Sequence, residues 1–124
     1  MKNAVRNLIA LSAPTPASVD AARAAVLALA QAKDPTGAGT DAAGRVFFTI
    51  EWEPAFKEVK ELSKQFSGVT FTLYGDAFAK QHWISKTVYE SGKTGEDTTV
   101  SRIDGDSFRR IYQEVFGQPF PVGG

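Results

Sequence analysis

The chain has 124 residues, of which 43% are apolar and 23% charged, which is enough to bury one core without staples, too little for two, and far from the composition of a disordered chain. Fourteen Lys and Arg balance fourteen Asp and Glu, so no whole-molecule field gathers phosphates or imitates a polyanion. Cysteine is absent, which excludes disulfides, zinc thiolates, iron–sulfur clusters and thiol nucleophiles.

In the N-terminal segment Arg6 and Asn7 interrupt the early apolar run, so neither a signal-peptide core nor a membrane span is expected, and a cytoplasmic location is the default. Ala4 to Leu11, with Val5, Ile9 and Leu11 at even spacing, predicts a strand. Thr15 is a natural N-cap with Pro16 at the first helical position, and the Ala-rich stretch to Lys33 carries Val19, Ala22, Val26 and Leu29 on one stripe. Asp34 to Gly44 has glycines, a proline and no large apolar residue, and predicts a flexible connector. Arg45 to Trp52 alternates, with Val46, Phe48, Ile50 and Trp52 on one face and Phe47, Thr49 and Glu51 on the other, as a central strand would.

Glu53-Pro54 opens a second helix to Phe66, with Phe56, Val59, Leu62 and Phe66 as its buried stripe and a mixed-charge outer face. Val69 to Tyr74 is again strand-like, so Arg45 to Tyr74 is expected to form a β-α-β unit with its two strands parallel. Trp83 to Glu90 and Thr98 to Ile103 predict an antiparallel hairpin. Asp104-Gly105-Asp106 caps a short helix with Phe108, Ile111, Tyr112 and Val115 inward, ending at Gly117. Residues 118–124, beginning Gln118-Pro119-Phe120-Pro121-Val122, form an extended tail that either docks on the body or waits for a partner. The sum is a single α+β domain over residues 1–124: a sandwich with a mixed sheet of four to five strands and two to three helices packed on it.

No catalytic constellation emerges. Gly92-Lys93-Thr94 echoes the end of a phosphate-binding loop, but Thr87 stands where that loop needs its first glycine and an acidic Glu96-Asp97 follows, so a hairpin turn is expected. His82 is the only histidine; a general base would have to be this residue, oriented by Asp76 or Asp104, with no serine elbow or metal-spaced partner beside it. Asp104 and Asp106 lack the twelve-residue calcium loop and are explained by helix capping. No catalytic, metal or cofactor-binding residue is therefore assigned. The aromatics Phe47, Phe48, Phe71, Tyr74, Trp83 and Tyr89 offer a stacking platform for single-stranded nucleic acid, with core packing as the competing use. The link Tyr74 to Trp83 combines a glycine, large aromatics and both charges. It nominates Tyr74, Asp76, Phe78, Lys80, His82 and Trp83 as a partner-binding surface, with a packed structural loop as the alternative.

Trp52-Glu53-Pro54, the helix through Leu62-Ser63 to Gln65-Phe66, Val69 to Tyr74 and Gly75-Asp76-Ala77-Phe78-Ala79 together resemble a family of plasmid- and phage-borne proteins. That family carries a ferredoxin-like domain and is typified by an adhesion-pathogenicity-island protein. Ser67 stands in place of the family's second proline and Lys80 in place of its glycine. The resemblance implies a ferredoxin-like sandwich from a mobile element, no catalytic residues, and a role in binding a host protein or complex in the host cytoplasm. Inhibition of a defence system such as a CRISPR effector belongs to that role, in the manner of an anti-CRISPR. The expected function is thus non-enzymatic protein–protein binding by a monomer or an edge-paired homodimer. A single-stranded nucleic-acid module using the sheet face is the alternative.

Overall fold

A computed structural model describes residues 3–121; the last part of the predicted tail, from Val122, lies outside them. The chain runs β1 (Ala4–Ser12), α1 (Pro16–Lys33), β2 (Gly39–Thr40), β3 (Val46–Glu51), α2 (Phe56–Gln65), β4 (Thr70–Ala77), α3 (Phe78–Gln81), β5 (Trp83–Glu90), β6 (Lys93–Ser101), a 3-10 turn (Arg102–Asp104) and α4 (Asp106–Phe116). All the strands join one sheet in the order β2-β3-β1-β4-β5-β6, and every neighbouring pair is antiparallel. The fold is α+β, with no helix among the described residues long and apolar enough to cross a membrane.

The sheet has six strands where the sequence pattern predicts four or five, and it is antiparallel throughout rather than mixed. The additional strand is β2, two residues inside the predicted connector that pair Gly39 with Phe47 and Thr40 with Val46. Gly39 is needed there, because a Cβ would stand 2.8 Å from the Phe47 ring. The expectation of a mixed sheet came from β3-α2-β4. Those strands do run in the same direction, but β1 lies between them and pairs antiparallel with both. β3 is therefore next to an edge, and β1 and β4 take the central places.

Two cores result, one on each face. Ile9, Val46, Phe48, Phe71, Leu73 and Tyr89 pack beneath α1 and α2, which contribute Ala22, Val26, Ala30 and Val59. Alternation sends Leu8, Tyr74, Ile84 and Val100 to the opposite face, where Phe108, Ile111 and Val115 of α4 cover them. α1 starts as its sequence demands: Thr15 Oγ1 accepts from the Ser18 amide at 3.3 Å and Pro16 sits in the first turn. Gly117, in the left-handed region at φ 76, closes α4 by donating to the Gln113 carbonyl.

Polar groups fasten α4 to the sheet. The Arg45 guanidinium donates to the carbonyls of Glu114 at 2.8 Å and Val115 at 3.1 Å, at the end of the helix where the backbone has no acceptors' partners of its own. Asp41 holds the same guanidinium at 2.8 Å. Burial alone would raise the Asp41 carboxyl, but the backbone amides and guanidinium around it bring it below the usual range. Further along, Lys86 bridges Glu114 at 2.7 Å and Glu96 at 3.5 Å, Arg110 pairs with both carboxylates, and the Tyr74 hydroxyl donates to Glu114 at 2.8 Å. Arg110 above all lowers Glu96; Glu114 is lowered by Lys86 and Tyr74 against the opposing effect of burial. The Tyr74 phenol is pushed well up by burial and then by Glu114.

Candidate functional site

The register of the sheet brings five chain segments to one end. Ala4 opposes Glu51, Arg6 opposes Asp76, Ala77 opposes Trp83, and Trp83 opposes Ser101. Trp52, Phe78 to Trp83, and Arg102 to Asp104 therefore share this rim.

Trp52 is its most unusual residue. Its amide donates to the Asn3 carbonyl at 2.9 Å, after which the backbone adopts φ 78, a left-handed conformation that costs a bulky residue about 1–2 kcal/mol. The indole is 67% exposed, so the strain is not repaid by packing. The alternation in the sequence places Trp52 on one strand face with Val46, Phe48 and Ile50; the structure instead ends β3 at Glu51 and leaves the indole exposed. Ile103 is 93% exposed at the same end. The predicted strand through Ile103 stops at Ser101, because the Ser101 amide donates to Asp104 Oδ2 at 2.7 Å and folds Arg102–Asp104 into a 3-10 turn. Trp52 and Ile103 are the exposed large apolar residues among the described ones; they sit at the same end of the sheet, just past β3 and β6, with β1, β4 and β5 between them.

The nominated link is not an open loop: Tyr74 to Ala77 end β4, Phe78–Gln81 form the short helix α3 and Trp83 begins β5, so its residues have separate fates. Tyr74 is buried under α4 and presents nothing to a partner; the reading of it as surface fails because its phenol has a carboxylate to reach inside. Asp76 Oδ1 accepts from the Phe78 amide at 3.1 Å. Asp76 also lines a cleft of about 190 Å³ with Arg6, Thr49 and Lys80. Phe78 turns into the α4 core. His82 closes α3 in the left-handed conformation at φ 64 and is exposed, with its ring edge-on to Phe78 at 6.5 Å. Trp83 is half-buried, its Nε1 donating to Gln81 Oε1 at 3.4 Å. Among the described residues the buried side-chain atoms without a hydrogen-bond partner are Gln81 Nε2 and Ser85 Oγ, which flank Trp83 along the chain.

Other candidate chemistry resolves into structure. Ser91 at φ 50 and Gly92 at φ 77 form the two-residue hairpin turn between β5 and β6, and the Gly92 amide donates to Ser63 Oγ at 2.9 Å. Lys93 and Thr94 are already paired with Glu90 and Tyr89, so β6 begins at Lys93 rather than at the expected Thr98 and the Gly-Lys-Thr run is not a phosphate loop. Asp76 and Asp104 are occupied with backbone amides and neither is hydrogen-bonded to His82. Asp106 pairs with Arg109 at 3.2 Å. Among the described residues no three His, Asp or Glu side chains converge as metal ligands. The six aromatics do not form one platform: Phe48, Phe71 and Tyr89 are buried beneath α1 and α2, Tyr74 beneath α4, Trp83 is half-buried at the start of β5, and Phe47 is half-buried with Arg6 stacked 5.5 Å above it. Both sheet faces carry helices, which removes the open face that base stacking requires.

The fold and rim together define an α+β domain with an apolar, partly strained surface at one sheet end. No family model matches the chain, and no curated protein or solved structure matches it.

Proposed function

We propose that the chain is a non-enzymatic binding protein that engages a protein partner through this sheet end. The observation that carries the reading is Trp52: an indole held in solvent at a backbone conformation that costs energy, at the sheet end that also carries exposed Ile103 and half-buried Trp83. Aromatic anchors of this kind dominate interface energetics. Lys80 and His82 supply a polar border to the same surface.

We further infer that the first four strands are a ferredoxin-like core. In support, β1-α1-β2-β3-α2-β4 lie in the spatial order β4-β1-β3-β2, two interleaved β-α-β units. The β5-β6 hairpin and α4 extend that core and cover its second face. Together with the Trp-Glu-Pro resemblance, this supports membership of the mobile-element family, acting in the host cytoplasm on a host protein or complex. A defence effector is the target class we favour.

The test is affinity capture of the tagged protein from host lysate with nuclease present, repeated with Trp52→Ala and with Ile103→Asp. A stoichiometric partner retained by the parent and lost by both variants, each folded by circular dichroism, is the expected outcome. Equal retention by both variants would overturn the assignment of this surface. Capture that nuclease abolishes, with steep salt dependence, would shift the function to single-stranded nucleic acid.

A further inference from the structure

After Gly117 the chain turns back and inserts Phe120 into an aromatic box on the α4 side. Its ring centroid lies 5.1 Å from Phe108, 5.0 Å from Tyr112 and 6.3 Å from Phe78, each ring nearly perpendicular to it. The Arg102 guanidinium closes the fourth side, 5.3 Å from the ring centroid. Edge-to-face packing against three rings is the favourable geometry for an aromatic guest.

The backbone of this tail contributes nothing comparable. Among the described residues, no backbone hydrogen bond joins Gln118, Pro119, Phe120 or Pro121 to the body. Pro119 and Pro121 flank the ring and are exposed. They lack amide protons and pre-set an extended backbone, so the segment needs no strand partner and loses little entropy on docking. The box therefore holds one side chain from a pre-extended segment, the arrangement by which aromatic-lined grooves take proline-rich peptides.

We propose that the Phe78–Phe108–Tyr112–Arg102 box is a recognition site for an extended segment of a partner protein that presents an aromatic residue between prolines. In the free chain its own Pro119-Phe120-Pro121 occupies the site and restrains it. The inference rests on the reading of this sheet end as an interaction surface, since Phe78 and Arg102 belong to the same rim as His82 and Ile103, and it supplies the chemistry of the partner.

The test uses the full chain and a labelled peptide, acetyl-Gln-Pro-Phe-Pro-Val-amide, read by fluorescence anisotropy. Phe120→Ala empties the box and is expected to bind the peptide with a Kd on the order of 0.1 mM. The parent chain binds at least about tenfold more weakly, because a short tether holds the competing tail at an effective concentration on the order of millimolar. Adding Phe78→Ala to Phe120→Ala abolishes binding, as does alanine in place of the peptide's phenylalanine. No saturable binding to folded Phe120→Ala, or equal binding to the parent, overturns the proposal. Should Phe120→Ala unfold, peptide at 10-fold molar excess over its Kd must shift the Phe120 ring resonances of the parent chain, and unmoved resonances refute it. Concentration-dependent dimerisation of the parent in sedimentation, lost in Phe120→Ala, would overturn it in favour of tail exchange between copies. The capture experiment on Trp52 and Ile103 fails or succeeds separately, since neither side chain lines the box.

Discussion

Replacing Arg45 by alanine tests whether α4 is held by polar clamps or by apolar burial alone. The guanidinium makes two charge-assisted hydrogen bonds to the terminal carbonyls of α4 and one to Asp41, with its own side chain 18% exposed. Hydrogen bonds to charged groups contribute about 1.5–3 kcal/mol each in mutational series, but water re-solvates carbonyls at a helix end and Asp41 regains solvent once its partner is gone. A net loss of about 3 kcal/mol is expected. With an unfolding entropy of about 2.1 cal/mol/K per residue over 124 residues, that loss lowers the midpoint by about 11 °C. Arg45→Lys should recover less than half, because one ammonium cannot span both carbonyls and the carboxylate. Thermal and urea unfolding followed by circular dichroism supply the measurement. A loss below about 1 kcal/mol for Arg45→Ala would refute the Arg45 clamp and leave the attachment to Phe108, Ile111 and Val115 and to the Glu114 and Arg110 contacts.

Other perturbations follow from local geometry. Gly75→Ala places a Cβ 2.5 Å from Ser85 Oγ and 2.6 Å from Pro54 Cγ, in a strand paired on both sides, and should cost about 1–3 kcal/mol in urea unfolding. Ser85→Ala, which removes a buried hydroxyl without a partner, should be neutral or stabilising alone and should restore part of the Gly75→Ala loss in the double variant. Trp52→Gly should be more stable than Trp52→Ala by about 1 kcal/mol, since only glycine relieves the left-handed backbone; the reverse order would show that the strain is absent. Glu96, Glu114 and Asp41 are all lowered in the folded state. Each therefore adds stability that is complete above its ordinary value and is lost as pH falls through the lowered one. The acid limb of a stability–pH curve should flatten in Glu114→Gln, and an unchanged limb would detach Glu114 from acid unfolding.

The elements were legible where a local chemical signal marks both ends. Thr15-Pro16 and Lys33 bound α1 and Gly117 ends α4. The expected aspartate cap of α4 does not form, since Asp104 turns to the Ser101 amide, and the expected hairpin stretch from Ser91 contracts to Ser91-Gly92. What escaped is set by partners distant in sequence. β2 has no periodicity because it is a strand only by virtue of Phe47 and Val46 beside it. The antiparallel sheet escaped because β1 inserts between β3 and β4, a choice made by the whole topology and not by the β-α-β segment. The division into two cores was half visible: alternation shows that Phe47 and Phe48 part company, but not that α4 will close over the first.

The rim shows the same limit in reverse. The link to Trp83 was marked by its composition, yet Tyr74 left the surface for Glu114, forty positions away, and Phe78 joined a box completed by Phe108, Tyr112 and Phe120. Trp52 was read as a strand residue because alternation continues through it, and Ile103 because it ends a β-branched run; strand propensity cannot see a backbone leaving the sheet. Their exposure is informative for that reason. A pattern that puts a side chain on the face of Val46 and Phe48, followed by a fold that holds about 1–2 kcal/mol of strain at Trp52 with its indole exposed, separates an interface anchor from an ordinary surface apolar residue. The contrast between Trp52→Gly and Trp52→Ala is the direct measure of it, since stability should rise with glycine while partner capture falls with both.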